Sequence, residues 1–240
     1  MIKRTIRYAL TLFILSDYWR FKSLDLDPRF SNSLLNAYPQ IKDKTIKTSF
    51  DRHYVYHTSW AARVLKETRP LKHVDISSSL YFSGIVSAFI PMEFYDFRPA
   101  NIDLSNLKSE EGNLLSLPFA DNSINSLSCM HTLEHIGLGR YGDVIDPDGD
   151  KKASLELMRV LSPGGSLLFV TPLAEKPTIE FNAHRIYSYD QIISTFSELS
   201  LKEFAFIPEH EAKGGLIRNA DPTLLSGESY ACGCFWFIKK

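Results

Sequence analysis

The 240-residue chain lacks the marks of several protein classes. Its three cysteines, Cys129, Cys232 and Cys234, are too few for a disulfide framework, which fits a reducing, cytoplasmic location. The formal net charge is -1, so no overall field of one sign favours nucleic acid or an anionic membrane. The apolar run Ile6 to Leu15, preceded by Lys3, Arg4 and Arg7, is far shorter than the roughly 20 residues that cross a bilayer. Asp17-Tyr-Trp-Arg follows it instead of a small-residue cleavage pattern. The run reads as an amphipathic helix packed on the protein, with no stable membrane insertion. No linker rich in Pro, Gly or Ser divides the chain, and no internal repeat is visible.

What remains is a globular composition long enough for one large α/β domain with an appendage. Residues 1–50 carry nine Lys and Arg against four Asp, interleaved with Tyr8, Phe13, Tyr18, Trp19, Phe21 and Phe30. Such a stretch is more often a solvated face over an apolar stripe than a nucleic-acid site, and no nucleic acid is expected. Residues 1–56 therefore read as a helical extension, a lid or a surface through which two copies associate. Residues 57–240 form the main domain.

A helix is expected over Thr58–Glu67, ended by Pro70. Strands then follow over Leu71–Ile76, Met92–Phe97, Ser109–Gly112, Ile124–Met130, Ser166–Val170, Leu201–Ile207 and Tyr230–Ile238. Helices are expected over Tyr81–Phe89, Lys151–Leu161 and Tyr189–Leu199, the last with Ser188 as its N-cap. Alternation of this kind predicts a doubly wound, mainly parallel, seven-stranded Rossmann-like sheet covered on both faces. Ligands of such sheets lie beyond the carboxyl ends of the strands. That rule places His131, Glu134 and His135, just past the strand ending at Met130, where small-molecule chemistry would occur.

The order of signals over residues 71–240 resembles the class I S-adenosylmethionine-dependent methyltransferases. The residues that carry the resemblance are Val74-Asp75-Ile76-Ser77-Ser78-Ser79, Asp96 at the end of the second strand, and Gly112-Asn113-Leu114. They continue with Leu117-Pro118-Phe119-Ala120-Asp121, Leu133-Glu134-His135 and Arg159-Val160-Leu161-Ser162-Pro163-Gly164-Gly165. The runs from His135 to Asp143 and from Phe181 to Arg185 resemble a narrower, uncharacterised methyltransferase-like group.

The resemblance implies S-adenosyl-L-methionine as cofactor. Asp96 would grip the ribose hydroxyls. Asp75, Ser77 and Ser79 would hold the methionine portion, Asn113 and Leu114 would frame the adenine, and His131 would line the cofactor end of the cleft. The chain departs from the family where three serines stand in place of glycines in the first loop. The stretch from Asp96 to Lys108 is also too short for a full covering helix.

Transfer to a hydroxyl needs a base near neutrality, for which histidine suits. His135 and His184, with Glu134 beside them, are the candidate catalytic residues. Arg140, Asn182 and Arg185 are candidates for binding a small-molecule or glycan acceptor, since guanidinium groups clamp carboxylate and phosphate. The glycines around Arg140 read as a turn that brings backbone near a ligand. No metal is expected. Asp146-Pro-Asp-Gly-Asp150 lacks the later calcium-loop ligands, and Cys232-Gly-Cys234 has no second pair. His131-x-x-Glu134-His135 matches a zinc-peptidase pattern, but Gly137 and Gly139 disfavour the helix that pattern needs.

Two other readings stand beside an O-methyltransferase. One is a methyltransferase-like binding or scaffolding domain that has lost its cofactor. The other is a sugar- or glycan-processing enzyme on the same sheet.

Overall fold

The computed structural model describes residues 10–240, which divide into two compact units, one ending at Phe50 and the other spanning Asp51–Lys240. Residues 6–9 of the Ile6–Leu15 run lie outside the described residues. In the first unit a 3-10 turn, Leu12–Ile14, leads into helix α1, Leu15–Leu24, and a second turn spans Leu34–Asn36. No residue of α1 is buried, as suits a solvated segment.

The second unit opens on α2, Arg52–Thr68. The Asp51 side chain accepts the Tyr54 amide at 3.0 Å and caps the first turn. His57, Trp60, Ala61, Val64 and Leu65 fall at helical spacing and form the buried face. Arg69 takes a left-handed conformation (φ 47°) and ends the helix ahead of Pro70. The helix starts six residues before the expected Thr58, so the boundary between the units follows Phe50.

Strand and helix then alternate: β1 His73–Ile76, α3 Leu80–Val86, β2 Met92–Asp96, β3 Leu107–Glu111, β4 Ile124–Met130, α4 Gly149–Val160 and β5 Leu161–Leu173. The chain continues with a hairpin, β6 Thr178–Glu180 and β7 His184–Ile186, then α5 Tyr189–Thr195, β8 Leu199–Ile207 and β9 Ala231–Lys239. Ser188 caps α5 in a reciprocal box with Gln191. The sheet order is β3-β2-β1-β4-β5-β9-β8. β1 pairs in parallel with both β2 and β4, while β9 runs antiparallel to β5 and β8. The strand order reverses between β1 and β4, the switch point where such sheets bind ligands.

Each face of the sheet has its own core. Trp60, Phe82, Phe94, Met130 and Trp236 pack under α2 and α3. Leu157, Phe169, Ile192, Phe196 and Phe235 pack under α4 and α5. No helix spans residues 97–106, as the short connection required. The uncovered side chains of Tyr81, Ile85 and Phe89 stay exposed.

Candidate active site

The turn after β1 is built from serine, and its hydroxyls are used within the turn. Ser77 has a φ of 54°, the left-handed region that glycine usually occupies. Its amide and its hydroxyl both donate to Tyr95 O, at 2.8 and 3.1 Å. Ser78 Oγ accepts the Met130 amide at 3.0 Å, and Thr132 Oγ1 donates to Ser77 O at 2.9 Å. The turn is thus fastened to β2 on one side and to the end of β4 on the other. These bonds offset the roughly 1–2 kcal/mol that a left-handed L-residue costs.

Two cavities meet at this turn. A crevice of about 120 Å³ is lined by Ser77, Asp96, Phe97, His131, Thr132 and His135, among others. A larger cavity of about 890 Å³ lies between α2, α3 and β2, with Tyr54, Ser78, Ser79, Tyr81 and Asp96 in its wall. Asp96 and Arg98 belong to both. Asp96 Oδ1 accepts the Arg98 amide at 2.7 Å, which fixes the carboxylate at the strand tip. Its Oδ2 has no hydrogen-bond partner among the described residues.

Asp75 does not join them. It is fully buried and lines neither cavity. Ser83 donates to its Oδ2 at 2.9 Å, and Ser128 donates to its Oδ1. Ser128 also meets His73, whose other ring nitrogen meets Ser126 at 2.7 Å. The expected cofactor ligand is therefore a buried support beneath the serine turn. Burial pushes its carboxyl up to about 6, against the serine bonds, which lower it.

A folded-state pKa above the unfolded value near 3.9 means the native state holds the proton longer. The stability associated with Asp75 is then present at acid pH and lost as pH rises through about 6. Asp75→Asn should match wild type below pH ~4 and exceed it by about 3 kcal/mol above pH ~6. Urea melts of both proteins across that range check this, because taking the difference removes the other titrating groups. A pH-independent difference would refute it.

Beyond β4 the chain turns sharply. His131 is also left-handed, with a φ of 55°, and Leu133–His135 makes one 3-10 turn. His131 and His135 therefore do not share a helix face, and the peptidase pattern has no structural counterpart. Glu134 is buried, and its Oε1 accepts from His131 Nδ1 at 2.9 Å. Its Oε2 has no partner among the described residues. His135 lines the crevice, and its Nδ1 donates to Ala183 O at 2.6 Å. Its Nε2 lies 4.0 Å from Glu134 Oε1. Burial lowers the His135 pKa, opposed by the Glu134 carboxylate.

His184 stands on the β6–β7 hairpin. Its ring lies 6.2 Å from His135, and its Nε2 sits 3.1 Å from Glu180 Oε2, off the line of a hydrogen bond. Arg140 is exposed, lines neither cavity and donates to Ala183 O at 3.1 Å. Asn182 takes a φ of 66° in the hairpin turn.

Three expectations need correction. Arg185 does not face a ligand. It is buried, and its guanidinium donates to Ile136 O at 2.6 Å and Pro147 O at 3.3 Å, with Asp150 3.5 Å away. It braces the glycine loop from within. Leu114 is a core residue, and Asn113 turns its side chain back to the Leu115 amide at 2.9 Å; neither lines a cavity. Phe97 occupies the crevice wall instead. The glycine loop itself packs backbone on backbone, because a Cβ on Gly137 would fall 2.1 Å from Asp146 O.

Sequence reading missed the aromatic and imidazole cluster behind the crevice. His53 stacks on His131 and on Tyr230, with ring centres 5.4 and 5.1 Å apart. Tyr54 and His57 also pack against His131, at 5.5 and 5.0 Å. His53 and His57 come from the start of α2, far from His131 in sequence. The available signal was Asp51 as an N-cap, which would have put both on the domain rather than in the extension.

Residues 118–207 match a family described as Caenorhabditis protein of unknown function, DUF268. No curated protein matches the chain. Among solved structures, the YcgJ protein of Bacillus subtilis superposes with a TM-score of 0.54 at 16% identity, covering 76% of this chain and 99% of that one. A putative sarcosine dimethylglycine methyltransferase of Galdieria sulphuraria gives 0.54 at 14%, covering 76% and 85%. The N-methyltransferase NodS of Bradyrhizobium japonicum, solved with S-adenosyl-L-homocysteine, gives 0.52 at 13%, again covering 76% and 85%. Sheet order, switch point and these superpositions agree: the chain has the Rossmann-like fold of the class I S-adenosylmethionine-dependent methyltransferases.

Proposed function

We propose that the protein is an S-adenosylmethionine-dependent methyltransferase acting at an oxygen of a small polar or sugar-like acceptor. One observation carries this reading. Asp96 sits at the tip of β2, one strand from the switch point, and walls both the crevice and the larger cavity with one carboxylate oxygen unpartnered among the described residues. The cofactor would supply a methyl group activated on a sulfonium.

The residues present fit a nucleoside held across the two cavities. Asp96 would accept from the ribose hydroxyls, and Phe97 offers an aromatic face to the adenine. Ser77, Ser79 and His131 flank the methionine end. His135 would take the acceptor proton: with Nδ1 donating to Ala183 O, Nε2 keeps a lone pair, and burial keeps the ring neutral. Glu134 then stabilises the imidazolium that forms, and His184 is the second candidate base. Arg140 and Asn182, exposed beside the Ala183 carbonyl that His135 also meets, would orient the acceptor.

Calorimetric titration of the full chain with S-adenosylhomocysteine tests the reading, and no binding overturns it. His135→Gln should bind S-adenosylhomocysteine like wild type. It should transfer labelled methyl to a small-molecule extract about a hundredfold more slowly, within the range a general base contributes. Equal rates would remove His135 from the chemistry.

One observation favours the second reading, a binding module without cofactor. The crevice, at about 120 Å³, is below the roughly 300 Å³ at which small-molecule sites begin, and Ser77 narrows it where glycine would leave room. The same titration separates the two.

A further inference from the structure

We propose that His53, His131 and Cys232 form a metal site for a zinc-class divalent ion, with one coordination position left for an exchangeable ligand. The site shares His131 with the proposed cofactor cleft, but its ligand geometry does not rest on the methyltransferase reading. One ligand atom from each residue lies within 4.8 Å of the others. The three side chains come from α2, from the turn after β4 and from β9, so only the folded domain assembles them.

The spacing fits coordination. In a tetrahedral site with Zn–N near 2.0 Å and Zn–S near 2.3 Å, a nitrogen and a sulfur ligand stand roughly 3.5 Å apart. His131 Nε2 and Cys232 Sγ are 3.5 Å apart. The second shell is also in place. Ligating histidines donate their remaining N–H to a carboxylate or a backbone carbonyl, which fixes the ring and the tautomer. His131 Nδ1 meets Glu134 Oε1 at 2.9 Å, and the His53 ring is held by stacking on Tyr230, with ring centres 5.1 Å apart.

Charge gives an independent reason. Glu134 is buried, Lys and Arg make no ion pair with it among the described residues, and its Oε2 has no partner. A divalent cation with the Cys232 thiolate and the Glu134 carboxylate sums to neutrality, so Glu134 keeps a compensating charge beside it when His131 is a neutral ligand that donates from Nδ1. His57 adds a second orphan. Its Nδ1 meets His53 O at 2.7 Å, and its buried Nε2 has no partner. Mixed imidazole and thiolate donors select zinc-like ions over magnesium or calcium. Three protein ligands leave a fourth position, as in catalytic rather than structural zinc sites, and His131 also lines the crevice.

Cobalt(II) is the probe, since thiolate ligation gives a charge-transfer band in the near ultraviolet and tetrahedral geometry gives strong visible bands. Titration of the full-length, reduced protein should show both, saturating at one ion per chain and reversed by zinc. Cys232→Ser should lose the charge-transfer band, while Cys234→Ser keeps it. His53→Gln, at a half-buried position where folding is least at risk, should weaken cobalt binding by at least about tenfold. No bands in the wild type would mean that Cys232 and His131 share only a thiol hydrogen bond, and would overturn the site. So would an unchanged spectrum in Cys232→Ser or unchanged affinity in His53→Gln. No methyl donor is present, so failure here leaves the cofactor reading standing, and the reverse holds.

Discussion

Gly137→Ala should destabilise the domain by on the order of 3 kcal/mol, while Gly142→Ala, five residues on, costs about 1 kcal/mol. Both glycines are left-handed, with φ of 81° and 85°. They differ in what surrounds them. A Cβ at Gly142 meets nothing within 4 Å, whereas one at Gly137 falls 2.1 Å from Asp146 O and 3.0 Å from Asp146 C. That carbonyl cannot yield freely, because it accepts the Gly149 amide at 3.0 Å at the start of α4. The Gly137 amide is held by Asp143 Oδ2 at 2.8 Å, and Arg185 grips the preceding carbonyl at 2.6 Å. Moving the loop therefore breaks several bonds together. Urea denaturation of the two variants measures the difference, and equal costs would show that strain alone governs both positions. A loosened loop also shifts the Ala183 contact of His135, so Gly137→Ala should slow methyl transfer beyond its effect on stability.

The sheet was legible because its central strands carry apolar runs bounded by turn residues, and because the parallel core imposes its own order, whereas the edge strand β3, Leu-Lys-Ser-Glu-Glu, is mostly polar. The missing helix was legible from chain length alone: residues 97–106 cannot hold three turns and two connections. Asp96 was legible because its position, one strand after the serine turn, is a topological one. The failures share a cause. His53 and His57 were hidden in a basic, aromatic stretch whose composition suggested an appendage, and only the Asp51 cap placed them on the domain. Cys232 lies 101 residues after His131, so no spacing rule joins them. Arg185 looked like a clamp because its residue type is used for anions, but its donors were taken by carbonyls of a loop 38 to 51 residues earlier. The β6–β7 hairpin carries three exposed residues in a row in β6, a pattern without the alternation that marks a strand.

Asp96→Ala should abolish measurable binding of S-adenosylhomocysteine. Hydrogen bonds to a charged carboxylate contribute roughly 1.5–3 kcal/mol each. Losing the pair to the ribose thus lowers affinity by at least about a hundredfold. The alanine variant also loses the bond that Oδ1 accepts from the Arg98 amide at 2.7 Å, so a fall in binding could reflect a displaced strand end. Asp96→Asn separates these effects, since an amide oxygen still accepts from Arg98 while one anionic acceptor becomes a donor. Its melting temperature should equal that of wild type, with S-adenosylhomocysteine affinity down by about tenfold or more. If both variants bind as wild type does, Asp96 is not the ribose ligand. The crevice at the switch point would then need another occupant, and the second reading, a domain that keeps the fold without the cofactor, would take the first one's place.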